Sequence, residues 1–140
     1  MERLTSRRLI VAVLLGAAII FLQGPPLWAC EIEVKARGGR KEASGGEVVI
    51  LEVHVFLTHK DCPEGIKATK FKTEGMEVLG ATKWKQTALE RFVRLVKVKM
   101  AQTGKDEAVF HARRTCDKEE NGGYGFLKLK VSSVEIASGE

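Results

Sequence analysis

The sequence predicts an all-β fold, seven antiparallel strands in a two-sheet sandwich. Three observations carry that prediction. Apolar residues recur with period two through most of the chain after residue 30. Short clusters rich in Gly, Asp, Asn and Pro punctuate the alternating runs. No apolar stripe of helical period persists over any length. A chain of 140 residues, 44% hydrophobic, has the size of one domain and enough apolar side chains to build a core, which excludes a disordered chain. Three cysteines are too few for a disulfide-dense scaffold.

In the first strand, 31–37, Ile32, Val34 and Ala36 alternate with Glu31, Glu33, Lys35 and Arg37. The second, 47–58, places Val49, Leu51, Val53, Val55 and Leu57 on one face, with Glu52, His54 and Thr58 opposite. Weaker candidates follow at 66–72 and 76–85. In 91–100, Phe92, Val96, Val98 and Met100 alternate with Lys97 and Lys99. Residues 87–94 also read as a short helix, but the alternation that continues to Met100 argues for strand. Ala108, Phe110 and Ala112 alternate with His111 and Arg113 in 107–115. Leu127, Leu129 and Val131 alternate with Lys128 and Lys130 in 126–134. Gly122-Gly123-Tyr124-Gly125 opens no helix, so it reads as a flexible hairpin loop rather than a phosphate cradle.

The first 29 residues read as an address. Arg3, Arg7 and Arg8 precede Leu9–Leu22, fourteen residues without a charge. As a helix that run rises about 21 Å, short of the roughly 30 Å hydrocarbon core of a bilayer. Pro25 and Pro26 stop it, and Ala29 offers a small residue for cleavage. These are the parts of a secretory signal peptide, removed to leave a domain of residues 30–140 in the periplasm or outside the cell. Leu27-Trp28-Ala29-Cys30 also resembles a lipobox, which makes Cys30 a candidate lipidation site and the one route to membrane attachment. The Gly-Pro-Pro break, and a strand pattern that starts at once with no tether, favour ordinary cleavage after Ala29. Ser6-Arg7-Arg8-Leu9-Ile10 is an incomplete match to a twin-arginine signal.

Without the leader the net charge falls from +5 to +3. The lysines and arginines alternate with apolar residues along strands, as solvated faces do. No clustered patch suggests nucleic acid.

Strand count and spacing over residues 30–140 resemble the immunoglobulin-like β-sandwich superfamily. The buried tryptophan of antibody domains has no counterpart, because Trp84 falls too late. The resemblance implies that the connections 58–65 and 116–125 lie at one end of the sandwich. Cys62 and Cys116 then come together, and in an oxidising compartment they are expected to form a disulfide. Closing that loop of about 55 residues would stabilise the fold by about 4 kcal/mol on the chain-entropy model. A competing reading makes His59, Cys62 and Cys116 ligands of copper or zinc, although no compact ligand spacing supports it. The arrangement is also loosely similar to superoxide reductases. That family's iron takes four histidines and a cysteine, whereas this chain has only His54, His59 and His111. His54 and His111 fall on the polar phase of their strands and read as surface histidines.

No nucleophile-elbow, phosphate-loop, dinucleotide or haem-attachment pattern is present. The sequence therefore points to an exported, non-enzymatic binding or structural module without a cofactor. Its expected surface is the paired loops, with His59, Lys60, Asp61, Asp117, Asn121 and Tyr124 as candidate contacts. Its expected partner is a cell-envelope protein or another copy of itself. The outward residues Val48, Ile50 and Phe56 offer a second packing face. The alternative is a small periplasmic metal-binding or redox protein built on His59, Cys62 and Cys116.

Overall fold

The computed structural model describes residues 30–58, 64–102, 106–116 and 122–133. The leader and His59, Lys60, Asp61, Cys62, Asp117 and Asn121 lie outside the described residues.

The described chain is all-β, with no α-helix. Its strands are β1 (Cys30–Ala36), β2 (Glu42–Ser44), β3 (Val48–Leu57), β4 (Thr69–Glu74), β5 (Met76–Ala81), β6 (Lys85–Ala88), β7 (Arg91–Met100), β8 (Glu107–Arg114) and β9 (Gly123–Ser132). One sheet has the order β1-β3-β7-β5, with β6 also paired to β7; the other runs β2-β9-β8-β4. Every pairing is antiparallel except β2 with β9, which is parallel.

The alternation predicted from sequence becomes the core. Ile32, Val34, Val49, Leu51, Val53, Val55, Val96, Val98 and Met100 from one sheet meet Ala108, Phe110, Ala112 and Leu129 from the other. Each fully buried Val, Leu, Phe or Met contributes about 1.5–3 kcal/mol of transfer free energy. Extended backbone puts successive side chains on opposite faces. The same strands therefore leave Glu31, Glu33, Lys35, Lys97 and Lys99 on the outer face of the five-stranded sheet.

Nine described strands replace the seven predicted, and the differences have physical causes. The extra β2 arises because the chain leaves the first sheet through a short 3-10 turn, Arg37–Gly39, where Gly38 takes φ 77. A side chain there would be strained, and glycine lets the chain cross to pair with β9. The predicted strand 76–85 is broken at residues 82–84. Thr82 holds the break: its N–H donates to the carbonyl oxygen of Leu95 at 2.9 Å, and its hydroxyl accepts from the Leu95 amide at 3.1 Å. Trp84 packs there against the core beside Phe71. The helical alternative for 87–94 is absent: β6 and β7 occupy those residues around a two-residue turn.

The glycine-rich hairpin loop is also corrected, since Gly123 and Gly125 lie within β9. A Cβ on Gly123 would sit 2.6 Å from the carbonyl oxygen of Cys30, and one on Gly125 would sit 2.5 Å from that of Ile32. The backbone of β1 therefore rests on β9 where only glycine admits it.

Candidate functional site

Register places the strand ends that flank both predicted loop connections at one end. Cys30 pairs with Leu57, Phe56 with Arg91, Thr69 with Arg114, and Gly123 with Arg114. The close approach of Gly123 to Cys30 brings the two sheets together there. The end is therefore framed by Cys30, Leu57, Thr69, Arg91, Arg114 and Gly123. The β6–β7 turn joins it, because the amide of Leu57 donates to the carbonyl oxygen of Glu90 at 2.9 Å. Leu89 at the tip of that turn is 79% exposed, and Glu90 takes φ 60. A positive φ at a residue with a side chain stores strain, a feature that clusters at binding sites. Sequence patterning assigned Leu89 and Glu90 no role. No alternation or composition signal marks a two-residue turn inside what looks like one edge.

From this end an aromatic row runs along the outer face of the four-stranded sheet. Tyr124 and Phe126 sit two residues apart on β9 and are 41% and 53% exposed. Their ring centroids are 5.9 Å apart, and Tyr124 also stacks on His111 of β8 at 5.9 Å. The Tyr124 hydroxyl shares a 2.6 Å hydrogen bond with His111 Nδ1, while Nε2 of the same ring lies 3.5 Å from Glu74 Oε1. His111 is thus on the polar phase, as predicted, but half-buried and ordered by its neighbours rather than free in solvent.

Cross-strand rows place cations beside the aromatics. Lys70, Arg113 and Tyr124 form one row, and Lys72, His111 and Phe126 the next. Lys72 lies 3.8 Å from Glu74, and Lys128 further along lies 3.8 Å from Glu107. Lys70 and Arg113 have no ion pair among the described residues. Alternation along β8 and β9 put Arg113 and Lys128 on this face. Cross-strand register was needed to show that the cations and rings share rows.

Comparison with protein-family models, with curated proteins and with solved structures finds no match.

Of the predicted loop contacts, Tyr124 is described and lies in the aromatic row. Cys116 is buried, and its predicted partner Cys62 lies outside the described residues, as does His59. Among the described residues no group of three His, Cys, Asp or Glu side chains comes together to hold a metal. His54 and His111 lie on different sheets and cannot share a ligand. His54 is half-buried beside Glu52, at 3.4 Å. Cys30 is 2% exposed as the first inward residue of β1. On the second packing face, Val48 is exposed, while Ile50 and Phe56 are half-buried, Phe56 beneath the Arg91 guanidinium at 4.4 Å.

The end of the interior carries a charge. Arg114 is 1% exposed, and its Nη1 donates to Thr69 Oγ1 at 3.1 Å. The strand pattern stopped at Ala112 and did not flag the next inward position.

Proposed function

We propose that this chain is an exported, non-enzymatic binding module of the cell envelope, built on an immunoglobulin-like β-sandwich. The sheet orders β1-β3-β7-β5 and β2-β9-β8-β4, with the first strand pair divided between the sheets, support that fold reading. The basic, apolar, proline-stopped start of the sequence supports export. Burial of the Cys30 thiol supports ordinary cleavage after Ala29, because acylation at that sulfur would require β1 to leave the sandwich. The strand ends Leu57, Thr69, Arg114 and Gly123, which flank the two connections, lie at one end and support the reading of a disulfide between Cys62 and Cys116. An intact mass short by two hydrogens after export tests that pairing.

The observation that carries the binding reading is the exposed Tyr124–Phe126 row, flanked by Lys70 and Arg113, which have no ion pair among the described residues, and running out from the loop end. Exposed aromatics on a rigid sheet give contact area at low entropic cost, and neighbouring cations set specificity. The partner is an envelope protein with an acidic, apolar patch, or a second copy of the module. The experiment compares wild type with a Tyr124→Ser/Phe126→Ser variant of unchanged circular dichroism. Sedimentation over a concentration series reads self-association, and cross-linking in envelope preparations reads hetero-association. Loss of one of these in the variant is the expected result. A monomer whose cross-linking pattern does not change between wild type and variant overturns the reading.

A further inference from the structure

Arg114 ends the inward series Ala108, Phe110, Ala112 and is the bulkiest fully buried side chain among the described residues. A guanidinium cannot shed its proton in a protein, so it remains a cation inside the sandwich. An unpaired buried charge is strongly unfavourable. Its one side-chain hydrogen bond among the described residues runs from Nη1 to the neutral hydroxyl of Thr69. Nε and Nη2 are buried and reach no acceptor among the described residues. The other buried residues at this end, Cys30, Ala68, Thr69 and Cys116, bring no carboxylate.

The two orphaned donors are not a random pair. Nε and Nη2 share one edge of the planar group, with their N–H bonds directed side by side. That edge grips the two oxygens of a carboxylate or phosphate in a bidentate fork. Nη1 lies on the other side, and Thr69 holds it there. Thr69 therefore orients the fork and leaves its gripping edge open. A buried polar group left unsatisfied calls for a missing partner. The chemistry here specifies that partner as an anion with two adjacent oxygens.

We infer that Arg114 is the receptor of an anion-binding site at the loop end of the sandwich, taking the carboxylate or phosphate group of a small solute, with Thr69 as the positioning residue. The site stands whether or not the aromatic row outside it engages a protein.

The test titrates purified protein with inorganic phosphate and, separately, with acetate, each against chloride at matched ionic strength. Two signals are read: the thermal midpoint and the 1H–15Nε resonance of Arg114. The expected result is a saturable shift of that resonance together with a rise in midpoint, as mass action requires for a ligand of the folded state. The anion with the stronger response identifies the group as phosphate or carboxylate. Arg114→Lys is expected to weaken apparent affinity about tenfold, because an ammonium cannot form the fork. Thr69→Val is expected to weaken it less. Phosphate stabilises many proteins by exclusion from their surfaces. An equal rise in midpoint in Arg114→Met, or a wild-type resonance that neither anion moves, therefore overturns the inference. So does a resonance that shifts, with no anion added, on Asp61→Asn, Asp117→Asn, Glu119→Gln or Glu120→Gln, because the chain's own carboxylate then fills the fork. Should Arg114→Met fail to fold, the wild-type resonance decides alone.

Discussion

The sandwich closes its two long sides by different means. On one side β1 lies against β9 backbone to backbone, with the carbonyl oxygens of Cys30 and Ile32 seated over Gly123 and Gly125. On the other side, where β4 faces the broken β5–β6 edge, side chains fill the seam. Phe71 of β4 meets Trp84 at 6.2 Å and Phe110 at 5.1 Å between ring centroids. The guanidinium of Arg94, reaching from β7, lies 5.7 Å from the centroids of both Phe71 and Trp84. Its Nε donates to the carbonyl oxygen of Thr82 at 2.6 Å. Backbone closure leaves no room and is intolerant of any added atom. Side-chain closure is assembled from separable parts and should fail by degrees. The same contrast separates two arginines on the inward phase. Arg94 sits at the filled seam, with rings beneath it and a carbonyl to bond. Arg114 sits at the loop end, its Nε and Nη2 meeting no acceptor among the described residues.

The largest effect is expected on the glycine side. Gly125→Ala drives a methyl group to 2.5 Å from the oxygen of Ile32, so β1 must move. A loss of about 3 kcal/mol is expected from overpacking, read as a lower urea midpoint at unchanged slope. A variant as stable as wild type would show that the seam flexes and would remove the contrast. On the other side, Trp84→Ala removes a half-buried ring that covers Phe71 and is expected to cost about 2 kcal/mol, below the range for a fully buried tryptophan. Arg94→Met keeps the apolar stem over the rings and loses the charge and the bond to Thr82. About 1 kcal/mol is expected, and a double-mutant cycle with Trp84→Ala should show coupling, since the two touch. Additive losses would mean that the seam is not one assembly.

These seams also mark where the sequence could and could not be read. The inward rows Val49–Val55 and Ala108–Ala112 were legible because period two is a direct consequence of the pleat. The glycines at 123 and 125 were not. Glycine signals both turns and close backbone approach, and only the position of β1 in space separates the two. Trp84 was read as part of the strand 76–85, because its role depends on a break in the edge strand that puts it across the sheet opening. Tyr124 was singled out as a loop residue and proved to be the start of the aromatic row. Phe126 passed as the first residue of a strand, because alternation says which face a residue takes but not how exposed that face is. Arg114 was missed for a related reason: a cation on an apolar phase at a strand end looks like the end of the pattern. Its burial is a property of the two sheets together.

The smallest expected effect concerns the crossover that feeds the glycine side. Between β2 and β3, Glu47 accepts a hydrogen bond from Arg40 Nη1 at 2.6 Å and another from the amide of Ser44 at 2.8 Å. Together they clasp the chain where it passes from one sheet to the other. The Arg40 bond, and after it the Ser44 amide, hold the Glu47 carboxyl below its ordinary value of 4.5. A carboxyl depressed on folding binds its proton more readily in the unfolded chain. Its contribution is therefore fully present above that ordinary value and is lost as pH falls through the lower value of the folded state. Wild type should exceed Glu47→Gln in thermal midpoint at pH 7, and the gap should close as the solution is acidified below pH 4.5. The pair lies at the solvent-accessible surface, so molar salt should shrink the gap at neutral pH as well. An equal gap at both extremes of pH would assign the effect to packing of the side chain. The crossover would then be held, like the seam it feeds, by backbone fit alone.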